Sequence, residues 1–434
     1  MLDELRKLPD STISAVEALE EVRIRAVYCP VSSSLHIQSL AAKYSTILVE
    51  SPLRIHVVKA DLTPQLATLM PEIVDEVQSA LSDEMPICKD WTAINANNVL
   101  LRVIARVSGR IFVGEETCRN EEWMGISIDY TNVAFAASFG IKKWHPQLRP
   151  FVYRFLSDYR RAVQLGIDAK RIIGPLVSRR IKAEAEGGKD YQKPNDSLQW
   201  LMDRATETER RDLDKMTREQ LSLSLAAIHT TTMGVLQALN ELAPRPEYIQ
   251  PLREELRTVL NQNDGVFTKR TMEQLKKLDS FMKECNRMNP VTVASFRRKI
   301  LRDVTLSDGT QLRAGTVLLA PSDAIAHDDK HLQSASTFDG FRWARMREEH
   351  SGLQAGREQY VAVSDKAMQF GYGRHACPGR FFAANEIKII LANLLLNYEI
   401  KMLDGAHERY PNQLWDSNLM PDRTKEFMFK RNQA

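Results

Sequence analysis

The chain has 434 residues, of which 43% are hydrophobic and 26% charged, a composition that is ordinary for a soluble globular protein. Its 59 basic and 56 acidic residues are interspersed and leave a formal net charge of +3, which gives no indication of a nucleic-acid partner. The five cysteines are scattered without paired short spacing. This disfavours a disulfide scaffold or a zinc site and fits a reducing compartment.

Helical periodicity dominates the chain, and no run of apolar residues approaches the ~20 that a membrane span requires. Apolar residues recur at three- and four-residue spacing, which predicts helices over nine segments: 11–26, 64–82, 91–111, 122–139, 150–183, 217–243, 246–261, 271–288 and 379–397. The polar segment 184–197 is predicted to be an exposed loop. Strand patterns are confined to 294–301, 304–306 and 317–319. The sequence therefore predicts one mainly α domain over residues 1–434, with a small β portion late in the chain.

The predicted helix 217–243 has an unusual centre, where His229 is followed by three consecutive threonines from Thr230. Threonine hydroxyls compete with the backbone for hydrogen bonds and are uncommon at such positions. Two explanations remain open at this point. The threonines either bond back to carbonyl groups four residues earlier in a core helix, or supply hydroxyl groups to a reaction.

Two charged residues, Glu284 and Arg287, are three apart in the predicted helix 271–288 and therefore share one face. Taken alone, such a pair is typical of a solvated ion pair worth a few tenths of a kcal/mol. A second arginine, Arg342, lies downstream in the segment Phe-Asp-Gly-Phe-Arg-Trp.

The segment 370–383 carries the most specific signal, because it reads Phe-Gly-Tyr-Gly-Arg-His-Ala-Cys-Pro-Gly-Arg-Phe-Phe-Ala. Cys377 follows a glycine-rich turn and precedes an apolar helix with a proline near its start. Free N–H groups and the dipole at a helix N-terminus favour a thiolate, and the glycines let the backbone pass close to a flat cofactor. The alternative is a purely structural cysteine, a small buried side chain in a loop before a helix. The full pattern favours a thiolate ligand for haem iron.

The spacing Phe-x-x-Gly-x-x-x-Cys-x-Gly resembles the haem-binding loop of the cytochrome P450 family. The stretch His-Ala-Cys-Pro-Gly-Arg-Phe-Phe-Ala from His375 is similar to fungal secondary-metabolism members, and the resemblance runs from about Leu2 to the end of the chain. It implies the cytochrome P450 fold, helix-rich with a small β subdomain. It also implies that Cys377 ligates the haem iron. The other residues expected to contact the cofactor are Phe370, Gly373, His375, Gly379 and Arg298.

The same resemblance implies roles for the other motifs. Thr230 takes the position of the oxygen-handling hydroxyl, Ala226 a small position that makes room for O2, and His229 the position where an acid is usual. The remaining residues fall into two groups, a buried network supporting the haem loop (Glu284, Arg287 and Arg342) and a strand bordering the substrate (Val291, Thr292, Val293 and Ala294). The family's usual Trp and Arg on the haem propionates are missing, and we expect His56 and Lys59 to substitute.

The implied activity is that of a haem-thiolate monooxygenase that oxidises an apolar small molecule, with a terpenoid-type fungal secondary metabolite as the expected substrate. Electrons are expected from NADPH through a separate reductase, with cytochrome b5 as a further partner. Two alternatives stay open: desaturation, ring formation or isomerisation on the same scaffold, and a non-catalytic haem-binding sensor.

The resemblance also predicts where the protein resides. The native protein is expected to be a monomer held on the cytosolic face of the endoplasmic reticulum by an N-terminal anchor preceding Leu2. Without that anchor, we expect the chain to be soluble or peripherally bound.

Overall fold

Helices make up most of the protein. The computed structural model describes residues 1–20, 46–47, 51–188, 191–415 and 417–432. The helices of the first half are α1 (Leu2–Leu5), α2 (Ala15–Glu20), α3 (Pro52–Val57), α4 (Thr63–Glu84), α5 (Ala96–Val113), α6 (Glu115–Cys118), α7 (Glu121–Lys142), α8 (Arg149–Val152), α9 (Ser157–Gly187), α10 (Ser197–Arg204) and α11 (Glu207–Arg211). Those of the second half are α12 (Leu213–Leu242), α13 (Pro246–Asn261), α14 (Lys269–Gln274), α15 (Lys276–Met288), α16 (Ser322–Ala326), α17 (Arg342–Glu349), α18 (Gly352–Arg357) and α19 (Arg380–Asn397).

The β structure is small and antiparallel. Its strands are β1 (Ile13–Ser14), β2 (Thr92–Ile94), β3 (Ser295–Ile300), β4 (Val304–Thr305), β5 (Gln311–Leu312), β6 (Val317–Ala320), β7 (Tyr398–Met402), β8 (Asn412–Trp415), β9 (Asn418–Pro421) and β10 (Phe427–Arg431). They form two three-stranded sheets, ordered β1-β3-β6 and β2-β10-β7, and the two-stranded pairs β4-β5 and β8-β9. The pair β8-β9 is a hairpin, in which Asn412 lies opposite Pro421 and Trp415 opposite Asn418.

Helix α12 runs through the middle of the apolar core. It starts at Asp212, whose side chain accepts a hydrogen bond from the N–H of Lys215, as an N-cap residue does. It packs against α5, α7, α9, α15 and α19, and most of its thirty residues are buried. A smaller apolar cluster lies beneath β3 and β6.

Four predicted helices agree with the structure to within three residues at each end: 64–82, 122–139, 246–261 and 379–397. The helix predicted over 217–243 begins four residues earlier, at Leu213. The predicted start at residue 91 was wrong, because residues 92–94 pair with β10 as a strand. The predictions over 150–183 and 271–288 missed breaks at Leu156 and Leu275, whose backbones leave the helical region. Residues 13–14 are a strand, and residues 21–26 of the first predicted helix lie outside the described residues.

The three predicted strand segments contain or overlap β3, β4 and β6, whereas β7 to β10 were missed. Across the residues that the structure describes, no helix is both long enough and apolar enough to cross a membrane.

Candidate functional site

The loop before α19 folds back on itself around Cys377. The Cys377 N–H donates to the Phe370 carbonyl oxygen at 2.7 Å, which closes the loop. Gly371 and Gly373 have φ values of +77° and +74°, a left-handed conformation that favours glycine. A Cβ on Gly371 would lie 3.4 Å from the Cα of Ala376. The glycines predicted from the sequence are therefore required by the path of the chain.

The sulfur of Cys377 lies at the N-terminus of α19, where Gly379 is the N-cap residue. The backbone N–H groups of Gly379 and Arg380 and the Arg380 guanidinium lie near enough to the sulfur to favour its charged form. Burial raises the pKa of the Cys377 thiol, while these two N–H groups and the Arg380 guanidinium act in the opposite direction. The side chain is nevertheless exposed to open space. An exposed sulfur at a helix N-terminus, where backbone N–H groups and a guanidinium favour the negative form, fits a thiolate metal ligand.

Helix α12 has a small exposed face near its middle. Ala226 and Thr230, one helical turn apart, are exposed, whereas Ile228 and Thr231 are buried. The Thr230 hydroxyl donates to the Ala226 carbonyl oxygen at 2.6 Å. A hydroxyl and a small residue exposed on a core helix indicate an internal space beside them.

Helices α12 and α19 meet just beyond this face. A Cβ added to Gly234, one turn after Thr230, would lie 2.9 Å from the Cδ1 of Ile387. The α12 face with Thr230 therefore lies close to α19, the helix whose N-terminus carries Cys377.

His229 does not share the face of Thr230. Its Nε2 atom lies 2.9 Å from the carbonyl oxygen of Ile128 in α7, and the residue is buried. Burial lowers the pKa of His229, and the bond to Ile128 opposes this. His229 occupies the sequence position where the family usually has an acid, and in the structure its imidazole links α12 to α7.

The structure brings Glu284, Arg287 and Arg342 together, as the sequence predicted. The fully buried Glu284 carboxylate accepts hydrogen bonds from Arg287 Nη2 at 2.7 Å and Nε at 2.9 Å. Arg342 Nε lies 3.4 Å from it. Two donors were missed by sequence reasoning, the indole N–H of Trp343 at 2.9 Å and the backbone N–H of Asp339 at 3.1 Å. Trp343 follows Arg342 directly, so the motif itself contained this signal.

A second set of contacts, absent from the sequence predictions, connects α15 to the Cys377 loop. Asp279 in α15 accepts from the backbone N–H of Tyr360 at 3.0 Å and from Lys388 of α19 at 2.8 Å. The Tyr360 ring packs edge-on against Phe370, with 5.1 Å between centroids. Arg380 donates to the Val361 carbonyl oxygen at 3.1 Å. The loop is thus attached to α15 through residues 360–361.

Cationic side chains gather beside the loop. A bulge in β3 places Phe296 at a φ of +54°, a strained conformation for a bulky residue. The neighbouring Arg298 lies 4.3 Å from the Phe296 ring centroid and is buried. Burial, together with the nearby Arg374, lowers the pKa of Arg298 to about 10. Asp10 opposes this lowering of the pKa, but its carboxylate is paired with Arg374 at 3.5 Å and with His375 Nε2 at 3.4 Å. Within the described residues, no carboxylate lies within ion-pair distance of Arg298. A buried cation without a carboxylate partner fits a ligand that brings its own carboxylate groups.

His56 and Lys59, which are expected to replace the usual Trp and Arg on the haem propionates, lie at the end of α3 and in the turn that follows it. A Cβ on Gly379 would lie 4.0 Å from Val58, so the π-helical turn Val58–Leu62 borders the loop. His56 and Lys59 are exposed beside this turn. Irregular helical turns of this kind are frequent at functional sites.

The segment predicted to border the substrate pairs with the β8-β9 hairpin. The Val293 N–H donates to the Ser417 carbonyl oxygen at 2.9 Å, and the Leu419 N–H donates to the Val291 carbonyl oxygen at 3.1 Å. Residues 291–294 are all half-buried. Val291 and Leu419 also line a small cavity of about 20 Å³ between α12 and α15, together with Gln237 and Asn289. The hairpin, which the sequence reasoning missed, is therefore part of this wall.

Comparisons with known proteins agree with this geometry. The family model described as Cytochrome P450 matches residues 35–429. Cytochrome P450 monooxygenase AN1598 of Emericella nidulans is 41% identical over 433 residues, which cover 99% of this chain and 77% of that protein. Ent-kaurene oxidase of Gibberella intermedia is 35% identical over 422 residues, covering 96% of this chain and 76% of that protein. Cytochrome P450 monooxygenase paxP of Penicillium paxilli is 35% identical, covering 99% and 79%.

Among solved structures, a retinoic acid-bound cyanobacterial CYP120A1 matches 88% of this chain and 77% of its own, with a TM-score of 0.65 at 16% identity. At that identity the likeness bears on the fold alone, and it confirms the predicted helix-rich fold. The resemblance to fungal members seen in residues 370–383 is confirmed by the relatives, and the family model spans most of the chain. The chain therefore belongs to the cytochrome P450 family and is a monooxygenase.

Proposed function

We propose that Cys377 is the axial thiolate ligand of the haem and that the enzyme oxidises a terpenoid-type fungal secondary metabolite. The observation that carries the first part is the position of the exposed Cys377 side chain at the N-terminus of α19, in a loop closed by the hydrogen bond from its own N–H to the Phe370 carbonyl oxygen. Bound haem supplies the activation of O2, with one oxygen atom going to the substrate and the other to water. The protein supplies the ligand, the orientation and the control of protons.

Several residues would hold the cofactor around Cys377. Arg298 is a buried cation that can bind a carboxylate arm. His375 lies close to Arg298, and burial together with the charge of Arg298 lowers the pKa of the His375 imidazole. Gly373 and Gly379 leave room for the backbone to approach a flat ring, and Phe370 shields the sulfur. His56 and Lys59 are candidates for a second carboxylate arm.

Thr230 would place its hydroxyl group at the oxygen-binding face of α12, with Ala226 leaving space beside it. The hydroxyl already donates to the Ala226 carbonyl oxygen, which fixes its orientation and leaves its lone pairs directed away from the helix. His229 would hold α12 in position against α7 through its contact with the Ile128 carbonyl oxygen.

The substrate class rests on chemistry and on relatives. The segment 291–294, which precedes β3, offers valine and alanine side chains, and these suit an apolar hydrocarbon. The relative from Gibberella intermedia bears the name ent-kaurene oxidase, and kaurene is a diterpene hydrocarbon. NADPH through a separate reductase, with cytochrome b5 as a further donor, would supply electrons to a monomer on the cytosolic face of the endoplasmic reticulum.

The test begins with the spectrum of the reduced, CO-bound protein. Wild type should show the strongly red-shifted Soret band of thiolate ligation, and Cys377→Ala should lose it. Cys118→Ala is the matched control, because Cys118 is a buried cysteine whose thiol donates a hydrogen bond to the Glu115 carbonyl oxygen. Its replacement should leave the CO spectrum unchanged. A red-shifted band that survives in Cys377→Ala overturns the assignment.

The substrate is tested next with ent-kaurene as the probe, the reductase and labelled O2. Label in the product supports the monooxygenase proposal for this substrate class. Turnover of other apolar molecules with no terpenoid accepted would refute the substrate class while leaving the haem ligand intact.

A further inference from the structure

A group of buried and half-buried polar side chains lies at the base of the β8-β9 hairpin, and its members come from three separate parts of the chain. We call this group the polar clamp. It consists of Gln237 and Glu241 of α12, Asn289 at the end of α15, and Arg409 and Asn412 at the start of the hairpin. The first three are 4%, 2% and 4% exposed. No motif predicted it, and the roles argued above do not use it.

The hydrogen bonds of the polar clamp form a closed circuit. Asn412 accepts from Gln237 at 2.9 Å and from Arg409 at 2.9 Å, and donates to Asn289 at 2.8 Å. Asn289 in turn donates to Glu241 at 2.8 Å, and Arg409 lies 3.1 Å from the same carboxylate. Since buried polar groups are costly when unpaired, this circuit fixes one position of the hairpin base relative to α12.

The hairpin connects the polar clamp to residues 291–294, the segment expected to border the substrate. From its base at Asn412, it extends to Ser417 and Leu419, which pair with Val293 and Val291. Its Trp415 packs edge-on against Phe139 of α7, with 4.5 Å between ring centroids. A shift at the base would therefore move both the wall and the contact with α7.

We propose that the polar clamp is a positioning device that sets the register of the β8-β9 hairpin over the substrate site and so determines which part of the substrate is presented for oxidation. The inference rests on the proposed function for its effect on products, while the effect on the hairpin is independent of it. Asn412 does not itself line the cavity bounded by Val291 and Leu419, whereas its hydrogen-bond partners Gln237 and Asn289 do. An effect of Asn412 on the reaction is therefore transmitted through the hairpin or through these two side chains.

The experiment compares deuterium uptake of the haem-loaded protein in wild type, Asn412→Ala and Asn412→Asp. Alanine removes three hydrogen bonds, so we expect exchange in peptides covering 412–421 and 291–294 to rise by about tenfold or more. Aspartate keeps both acceptor contacts and should stay within about threefold of wild type. Asn263→Ala is the control, since Asn263 makes side-chain bonds to Val259 and Gln274 away from the hairpin.

The reaction readout uses ent-kaurene. Asn412→Ala should change the ratio of oxidation products and weaken the substrate-induced shift of the Soret band, with an unchanged CO spectrum, and Asn412→Asp should restore the product ratio. Equal exchange in Asn412→Ala and Asn263→Ala overturns the clamp. So does faster hairpin exchange with an unchanged product ratio. If wild type lacks thiolate ligation, the proposed function fails, whereas the exchange comparison still decides whether the clamp holds the hairpin.

Discussion

Replacing Glu284 with glutamine should disrupt the support of the haem loop while leaving side-chain shape almost unchanged. The carboxylate is fully buried and accepts hydrogen bonds from Arg287, Trp343 and the backbone of Asp339, with Arg342 at 3.4 Å. Glutamine removes the negative charge and replaces one acceptor oxygen with an NH2 group, which cannot accept a hydrogen bond from these donors. Two buried guanidinium groups would then face an uncharged amide.

The expected loss of stability follows from that burial. Breaking a buried ion pair by removing one partner costs about 3–5 kcal/mol. Arg287 and Arg342 also donate to carbonyl oxygens, among them those of Ala335 and Ser334, so each cation keeps part of its solvation. We therefore expect a loss near 3 kcal/mol, which is a large share of the 5–15 kcal/mol by which domains are stable.

The assay measures urea unfolding and the haem-to-protein ratio on the same samples. Asp196→Asn is the matched control, because Asp196 and Arg180 form an equally buried bidentate pair between α9 and α10. Both variants should lose stability, but Glu284→Gln should lose markedly more haem, since α15 is attached to the Cys377 loop through Tyr360. Equal haem ratios at equal destabilisation would refute the supporting role. A loss below 1 kcal/mol would refute the electrostatic argument.

Three further outcomes are expected. Thr230→Ala should keep haem and substrate binding but raise the ratio of hydrogen peroxide to product severalfold, whereas a purely structural Thr230 would leave that ratio unchanged. Gly234→Ala should lower the free energy of unfolding by about 1–3 kcal/mol through overpacking against Ile387, and Ile387→Val in that background should recover part of the loss. Burial raises the pKa of Glu386 to about 8, so its contribution to stability is present below its ordinary pKa and is lost as pH rises through about 8. Urea unfolding across pH 4 to 9 should show this decline in wild type and a smaller one in Glu386→Gln, and identical slopes would contradict it.

The sequence predicted the Cys377 loop well because its determinants are contiguous. The left-handed glycines, the proline near the helix start and the apolar helix all lie within residues 370–397, so their effects are local. The pairing of Glu284 with Arg342 was predicted only through the family resemblance, since spacing alone favoured a solvated pair with Arg287. Burial, which decides between these, depends on packing that a local pattern does not contain.

The parts missed by the sequence are those whose partners are distant in the chain. Strand β2 pairs with β10 across more than 300 residues, which overrode the helical pattern after residue 91. The β8-β9 hairpin has two short strands, of which β8 is mainly exposed and β9 mainly half-buried, so neither shows a clear alternation of buried and exposed residues. His229 was placed by motif position, but its orientation is set by a carbonyl on α7.

The buried polar contacts around the site have a common physical reason. A flat cofactor and an apolar substrate need a large internal space, and apolar side chains around such a space tend to collapse into it because empty volume is unfavourable. Apolar contacts are not directional, so they cannot alone specify how far apart the walls stand. Hydrogen bonds and ion pairs are directional and costly to leave unmade. The network at Glu284, the link from Asp279 to Tyr360 and the polar clamp each fix one wall relative to α12 or α15, which is why charged and amide groups are buried there in place of hydrocarbon.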